Sequence, residues 1–557
     1  MIIGLDVGGT HTDVVLLGRD RLIKDIKVPT DPNDLFNSVL TGLNAITADV
    51  DKTQIKRLVL STTLTTNAIV QEKIAPVGMI VTGGPGINPE FFRTNDQYYV
   101  VSGAIDHRGR EIDPVDQNEI EHAAAQLRQS DIHYLGVVGK FGVRNPAHEL
   151  KIAEILENSF DKIFLGHQIS ANLNFPRRIA TTYLNAAVYP IHKDFFESIK
   201  KSLEQEGLAI PIHLLKADGG TMSFQSSIDT PDQTILSGPA ASVMGATPFA
   251  SQGDSLVIDI GGTSTDMALL INGVPVLNPV GIQIGSFQTL TRALETCSIG
   301  LGGDSAVTVV AGKLRIGPER RGPAMAYGGP APTPTDALVV LGEITDGDRG
   351  QSENGINSVA KELALSPEEM ANRILDDFCQ AILFEADNMI MRVNSKPVYT
   401  VHELQEGYQI KPHTMSVLGG PARHFAERLG KISAFQVSVV PKWKVANAIG
   451  AALARTTCEV SLFADTEQGI AFAPEENFYA EISKGFSKED AIQQAFDLLR
   501  TKAIQKGAQT SDLEMEVIED QAFNMVRGFH TTGQNIRVKV QVKPGLIHGY
   551  ETVANTL

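Results

Sequence analysis

Residues 6–17 read DVGGTHTDVVLL, and residues 259–270 read DIGGTSTDMALL. The two stretches agree at eight of twelve positions, sharing the Asp, the Gly-Gly-Thr, the Thr-Asp and the closing Leu-Leu at one spacing. In each copy an apolar, β-like run (IIGLDV, LVIDI) delivers an Asp to its C-terminal end. Gly-Gly then permits a tight reversal and leaves backbone N–H groups open to an anion. A single copy reads equally well as a plain hairpin turn. Two copies predict two related lobes, and two such turns facing each other would grip a triphosphate from both sides. On that reading Gly8, Gly9, Thr10, Thr12 and Asp13 bind phosphate in one lobe, and Gly261, Gly262, Thr263, Thr265 and Asp266 in the other. Asp6 and Asp259 are the candidate catalytic carboxylates, placed to hold Mg²⁺ directly or through water beside those phosphates.

Outward from the two motifs, strand-like and helical segments alternate, the mark of an α/β protein. RLVLST (57–62), VGMIVTG (77–83) and YLGVVGKF (134–141) read as buried strands, with a helix over 65–73. Asn145 and Pro146 announce a helix start. A long helical stretch runs from about residue 180 to Gly207, with Pro190 expected to kink or divide it. SPEEMANRILDDFCQAILFEADNMIMRV (366–393) is a long amphipathic helix, and VANAIGAALAR (445–455) is a small-residue helix suited to close packing or to an ordinary buried position. After about Cys458 the character changes to a capped helix and an alternating run, IRVKVQV (536–542), expected as an edge or half-buried strand. The expected organisation is an N-terminal lobe over 1–180, a second lobe over 181–458 and a small α+β unit over 459–557.

Composition bounds the function. With 42% hydrophobic and 20% charged residues the 557-residue chain is expected to build large packed cores. A net charge of −17 argues against a general nucleic-acid surface, and no polybasic run suggests a membrane anchor. Cys297, Cys379 and Cys458 are scattered and odd in number, which reads as a reduced, cytoplasmic protein. Met1 leads directly into a strand, and neither a signal peptide nor a membrane-spanning run is visible. No GxxxxGK[ST] or GxGxxG occurs, which disfavours a Walker loop and a dinucleotide fold.

Further elements carry candidate chemistry. Gly419, Gly420 and Pro421 stand between a strand-like MSVL and a helix, a turn that lets a flat adenosine base approach the backbone or that simply turns the chain. STTLTTNA (61–68) places Thr62, Thr63, Thr66 and Asn67 at a helix start, as substrate contacts or as plain caps. Asp304 follows three glycines within a few residues, as a catalytic base, a Mg²⁺ ligand or a cap. Asp106 and His107 form either a general-base loop or a solvated turn. His148 and Glu149 suit a helix start, Arg423 and His424 face the nucleotide or cover a helix, and Cys297 reads as a small core residue.

The doubled DxGGTxTD with a later GGP turn resembles the sugar kinase, Hsp70 and actin superfamily of ATPases. More closely, the chain resembles the ATP-dependent A-type subunit of the hydantoinase/oxoprolinase family. The resemblance rests on DVGGTHTD, STTLTTNA, VSGAIDHRGR (101–110), RNPAHE (144–149), ILSGPAAS (235–242), DIGGTSTD, IGLGGDS (299–305), the run over 315–342 and LGGPARH. It departs from the family pattern at Leu60-Ser61, at Gly302-Gly303-Asp304-Ser305 and at Met325. The resemblance implies two actin-like, ribonuclease H-like lobes around a nucleotide cleft, ATP and Mg²⁺ as cofactors, and ring-opening hydrolysis of a cyclic amide such as a hydantoin or 5-oxoproline. It also implies a B-type hydantoinase partner subunit and leaves room for an oligomer. Acetone and acetophenone carboxylase subunits resemble the same family, so ATP-dependent carboxylation is the close rival. An ATP-switched binding protein is the rival from another class, although the last hundred or so residues do not supply an Hsp70-like peptide-binding region.

Overall fold

The computed structural model describes residues 1–31, 33–250, 253–278, 280–395 and 409–557. Both glycine motifs form the hairpins expected of them. Strand Ile2–Val7 pairs antiparallel with His11–Leu17, bringing Asp6 opposite Asp13. Strand Asp254–Ile260 pairs in the same way with Thr265–Ile271, bringing Asp259 opposite Asp266.

The likeness extends beyond the turns. The first hairpin continues to Leu22–Pro29 on one side, and Ile2–Val7 pairs in parallel with Arg57–Thr62 on the other, which in turn pairs with Ile212–Leu215. The second continues to Val274–Pro275, while Asp254–Ile260 pairs in parallel with Thr414–Leu418 and that strand with Gln436–Val439. Each sheet thus runs third, second, first, fourth, fifth strand, an antiparallel meander joined to parallel crossovers. These are the two actin-like lobes expected from the sequence. The centre strands, Ile2–Val7 and Arg57–Thr62, are buried along their whole length, as parallel strands covered on both faces must be.

Two short helices of small residues, Ser237–Ala246 and Ala446–Leu453, fill the space between the two sheets. They share one core with Ile2, Val15 and Val59 of the first sheet and Val257, Ala268 and Leu270 of the second. The packing is close enough that a Cβ on Gly450 would lie 2.2 Å from the Gly245 amide nitrogen, and one on Gly4 2.2 Å from the Ala448 carbonyl. Alanine and glycine are what this contact admits. The small-residue helix is therefore the joint between the lobes.

A third, four-stranded sheet (Lys162–Leu165, Tyr134–Gly139, Val77–Thr82, Tyr98–Val101) extends the first lobe. The helix Phe175–Gln205 runs unbroken through Pro190; residues on both sides of the proline are buried against neighbouring elements, and tertiary packing outweighs the lost hydrogen bond. The amphipathic helix spans Pro367–Asn394, closed at its start by a Ser366/Glu369 capping box. In the C-terminal unit His530–Val542 is no edge strand: it lies between Glu459–Asp465 and Met515–Arg527, and the latter forms the edge. Its alternation, with Ile536, Val538, Val540 and Val542 buried, arises because one face of the sheet packs on helix Lys488–Gln505. Among the described residues no helix is long and apolar enough to cross a membrane.

Candidate active site

The two turns are built alike. The Gly8 amide donates to the His11 carbonyl at 3.0 Å, and the Gly261 amide to the Ser264 carbonyl at 2.9 Å. Gly9 and Thr263 are exposed at the tips, with Gly8, Thr10, Gly261 and Gly262 half-buried. Two of the expected phosphate hydroxyls turn away. Thr12 is buried with its hydroxyl on Thr30 at 2.9 Å, and Thr265 donates to the Leu301 carbonyl at 2.6 Å. Strand alternation explains this, because the residue that returns into the strand points its side chain into the core.

The carboxylates do converge. Asp259 is buried and accepts from Ser242 Oγ at 2.5 Å and from Asn447 Nδ2 at 3.1 Å. Those partners sit on the two inter-lobe helices. Asp6, also buried, has no hydrogen-bond partner on Oδ1. Burial pushes its carboxyl up to about 7, with Asp13 and Asp259 pushing the same way and Ser61 and Asn447 pulling it back. Burial likewise raises Asp259, against Ser242 and Asn447, and lifts Asp266 to about 7, with Asp259 adding to the effect. Asp13 is raised by burial although Lys27 lies 2.5 Å away and opposes it. Carboxylates of both hairpins therefore occupy one electrostatic neighbourhood, with Asn447 bearing on Asp6 and Asp259 alike.

Asp304 lies against the second hairpin. Its amide donates to the Gly262 carbonyl at 2.7 Å, its Oδ2 would lie 2.9 Å from a Cβ on Gly262, and Arg320 sits 3.3 Å from the same oxygen. Burial raises it and Arg320 opposes that. The GGP turn is also at the second hairpin: a Cβ on Gly419, whose φ is +98°, would lie 2.2 Å from the Ile260 carbonyl and 2.3 Å from Asp259 Oδ1. Gly420 has open space around it, and Pro421 lies against Gly303. Arg423 stacks on Trp443 at 5.9 Å, and His424 lies 4.0 Å from Glu343.

In the threonine-rich segment the bonds formed are those of the capping alternative. Thr62 is buried and its Oγ1 accepts from the Leu64 amide; Thr63 Oγ1 accepts from Asn67 Nδ2; Thr66 Oγ1 accepts from the Leu236 amide at 3.0 Å. The Thr66 side chain, and the Ser237 hydroxyl on the Thr62 carbonyl, tie helix Leu64–Val70 to the start of helix Ser237–Ala246, where Leu236 takes a left-handed φ of 62°. Each of these hydroxyl oxygens accepts from a protein donor, as the polar groups of a helix start commonly do. Asp106 closes its own turn: despite slight desolvation, bonds from Arg110 and Arg108 hold it down at about 2, which ill suits a general base. His148 pairs with Glu111 at 2.9 Å, and Glu149 is wholly buried, accepting from the Gly139 and His167 amides. Sequence reasoning missed Ser242, Asn447, Lys27 and Arg320. The first two stand in segments singled out for other reasons, and nothing local in the sequence marks them as carboxylate partners.

Comparison with known proteins adds the family. The description "Hydantoinase/oxoprolinase N-terminal region" matches residues 2–160, and "Hydantoinase/oxoprolinase" matches residues 178–460. The chain belongs to the hydantoinase/oxoprolinase family. It is 24% identical to the caprolactamase subunit alpha of Pseudomonas jessenii, over 79% of this chain and 68% of that one. It is 27% identical to the acetophenone carboxylase gamma subunit of Aromatoleum aromaticum, over 61% of this chain and about half (53%) of the relative. The crystal structure of the ATP-dependent caprolactamase from Pseudomonas jessenii superimposes with a TM-score of 0.73, covering 99% of this chain and 88% of that one at 18% identity, which shows the shared fold.

Proposed function

We propose that this chain is the ATP-using component of an enzyme that opens a cyclic amide by phosphoryl activation of its carbonyl oxygen. The observation that carries the reading is the pair of matched glycine hairpins whose Asp6 and Asp259 share one buried neighbourhood beneath Asn447. The exposed tips at Gly9 and Thr263, with Thr10 and Gly262 half-buried beside them, suit the phosphates, and the Gly419–Pro421 turn beside Asp259 suits the adenosine. The site also fits a divalent cation: Asp6 Oδ1 is buried without a partner, and the neighbouring carboxyls are all raised. Asp6 and Asp259 would hold Mg²⁺. Among the described residues no three His, Cys, Asp or Glu side chains form a metal cluster, so a cation here would take most ligands from nucleotide and water. When bound, it would neutralise charge on the phosphates.

Phosphoryl transfer asks mainly for positioning and charge neutralisation. The γ-phosphoryl group leaves ADP and bonds to the ring carbonyl oxygen, and water adds to the carbon so activated; the ring C–N bond then breaks with a proton passing to nitrogen, and a second water hydrolyses the resulting acyl phosphate to carboxylate and free phosphate. Asp304, half-buried beside Gly262, is positioned to take the proton from the first water. The likeness to a caprolactamase alpha subunit supports this chemistry and a B-type partner subunit. The likeness to an acetophenone carboxylase subunit favours a second reading, in which ATP activates a ketone or bicarbonate.

Phosphate release from ATP and Mg²⁺, measured with cyclic amides or with ketones plus bicarbonate, separates the two. Stimulation by a cyclic amide with ring-opened product is expected. Asp259→Asn and Asp6→Asn are expected to lower turnover by at least about 10²-fold with the fold intact; wild-type turnover in either would overturn the role of that hairpin.

A further inference from the structure

A second polar cavity, of about 370 Å³, lies away from both hairpins, between strand Lys162–Leu165, the turn Pro231–Thr234 and helix Lys488–Gln505 of the C-terminal unit. Its walls carry many charges, most of them matched. Lys162 pairs with Asp229 at 2.8 Å, Lys216 with Asp218 at 3.0 Å, and Arg292 with Glu459 at 2.6 Å. Lys502 is shared by Glu475, at 3.5 Å, and Glu476.

Two groups of opposite sign remain. Among the described residues the Lys506 ammonium makes no ion pair or hydrogen bond, although its side chain lines the cavity. Asp232 is 3% exposed, lines the same cavity, accepts from Thr291 through Oδ2 at 2.6 Å, and has no partner on Oδ1. The two lie within each other's field, yet do not pair. Burial, with Lys502 and Lys216 beside it, pulls Lys506 down to about 8, and burial pushes Asp232 up to about 6. Asp232 holds its charge at a cost, because it is buried with one carboxylate oxygen unfilled, and the half-buried Lys506 ammonium stands beside two other cations without an anion of its own. A cavity of this size takes a small molecule, and Phe164 and Leu290 are apolar parts of its wall.

We propose that this cavity binds a small amino carboxylate, its carboxylate on Lys506 and its ammonium toward Asp232. The ring-opened product of a lactam belongs to this class, which suits the site to sensing product, but the inference stands on the cavity alone and its test involves no turnover.

Calorimetric titration of the whole chain with β-alanine, γ-aminobutyrate and ε-aminohexanoate, beside acetate and ethylammonium, tests it. At least one amino carboxylate is expected to bind with a Kd of about 1 mM or tighter, and the two half-molecules at least about tenfold more weakly. Lys506→Met is expected to lose about tenfold or more in affinity, while Lys506→Arg keeps most of it, which separates charge from misfolding. Asp232→Asn should weaken the amino carboxylates but not acetate, and Asp259→Asn should leave all of this binding unchanged. Absence of amino-carboxylate binding to the wild-type chain, acetate binding as tightly as the amino carboxylates, or unchanged affinity in Lys506→Met would each overturn the proposal.

Discussion

Gly450→Ala puts the joint between the lobes to the test. The added methyl would lie 2.2 Å from the Gly245 amide nitrogen and 2.6 Å from the Ala241 carbonyl, both backbone atoms of the facing helix. Unstrained heavy-atom contact begins near about 3.5 Å, so the overlap is about 1.3 Å. Neither neighbour is a flexible side-chain end, and the two helices must part by about 1 Å, at an overpacking cost of about 1–3 kcal/mol. Ser242 rides on one of these helices and Asn447 on the other, and both bond Asp259. Parting the helices therefore disturbs the site as well as the core, and a misplacement of about 1 Å costs on the order of 10²-fold in rate. The assay is nucleotide affinity and phosphate release beside thermal unfolding, with Gly430→Ala as the matched control. There the added Cβ meets Val437 at an ordinary 3.7 Å, and a helix-interior alanine stabilises by up to about 1 kcal/mol. Gly450→Ala with lowered unfolding temperature but wild-type affinity and turnover would refute the claim that the joint positions Asp259.

Ser242→Ala removes a donor 2.5 Å from a buried carboxylate. It is expected to cost about 1.5–3 kcal/mol of stability and to raise Asp259 further, shifting the acid limb of nucleotide binding to higher pH; an unchanged acid limb would contradict the assignment. His192 is fully buried on Ser227, and burial lowers it from 6.5 to about 3. Its depressed value means that the unfolded chain binds the proton first, so its contribution is full above pH 6.5 and is lost as pH falls from there toward about 3. By about pH 5 that amounts to about 2 kcal/mol. Urea unfolding of His192→Gln should be correspondingly less sensitive to acid over that window, and equal sensitivity in mutant and wild type would remove His192 from the account.

The doubled hairpin was legible because its causes are local: an apolar run, two glycines and an Asp at fixed spacing force the same turn twice, and the lobes follow from it. The same holds for the amphipathic helix at Pro367–Asn394 with its capping box. IRVKVQV disclosed its alternation but not its neighbours, since period two says which side chains face inward and nothing about which strand lies on either edge. Pro190 does not divide its helix, for a related reason. Its local penalty is real, but packing along Phe175–Gln205 exceeds it.

The sequence by itself determined the α/β class, the paired turns and which carboxylates stand at them, because residue pattern and backbone sterics act over a few positions. Only the tertiary structure decided which hydroxyls face the cleft, that the threonine-rich segment fastens two helix starts, and that Ser242 and Asn447 hold Asp259 from either side of a glycine-on-glycine contact. It alone decided, too, that Lys506 and Asp232 face one cavity with neither partnered by the other. Such arrangements join residues hundreds of positions apart, and their energies depend on burial and distance, which exist only once the chain has folded.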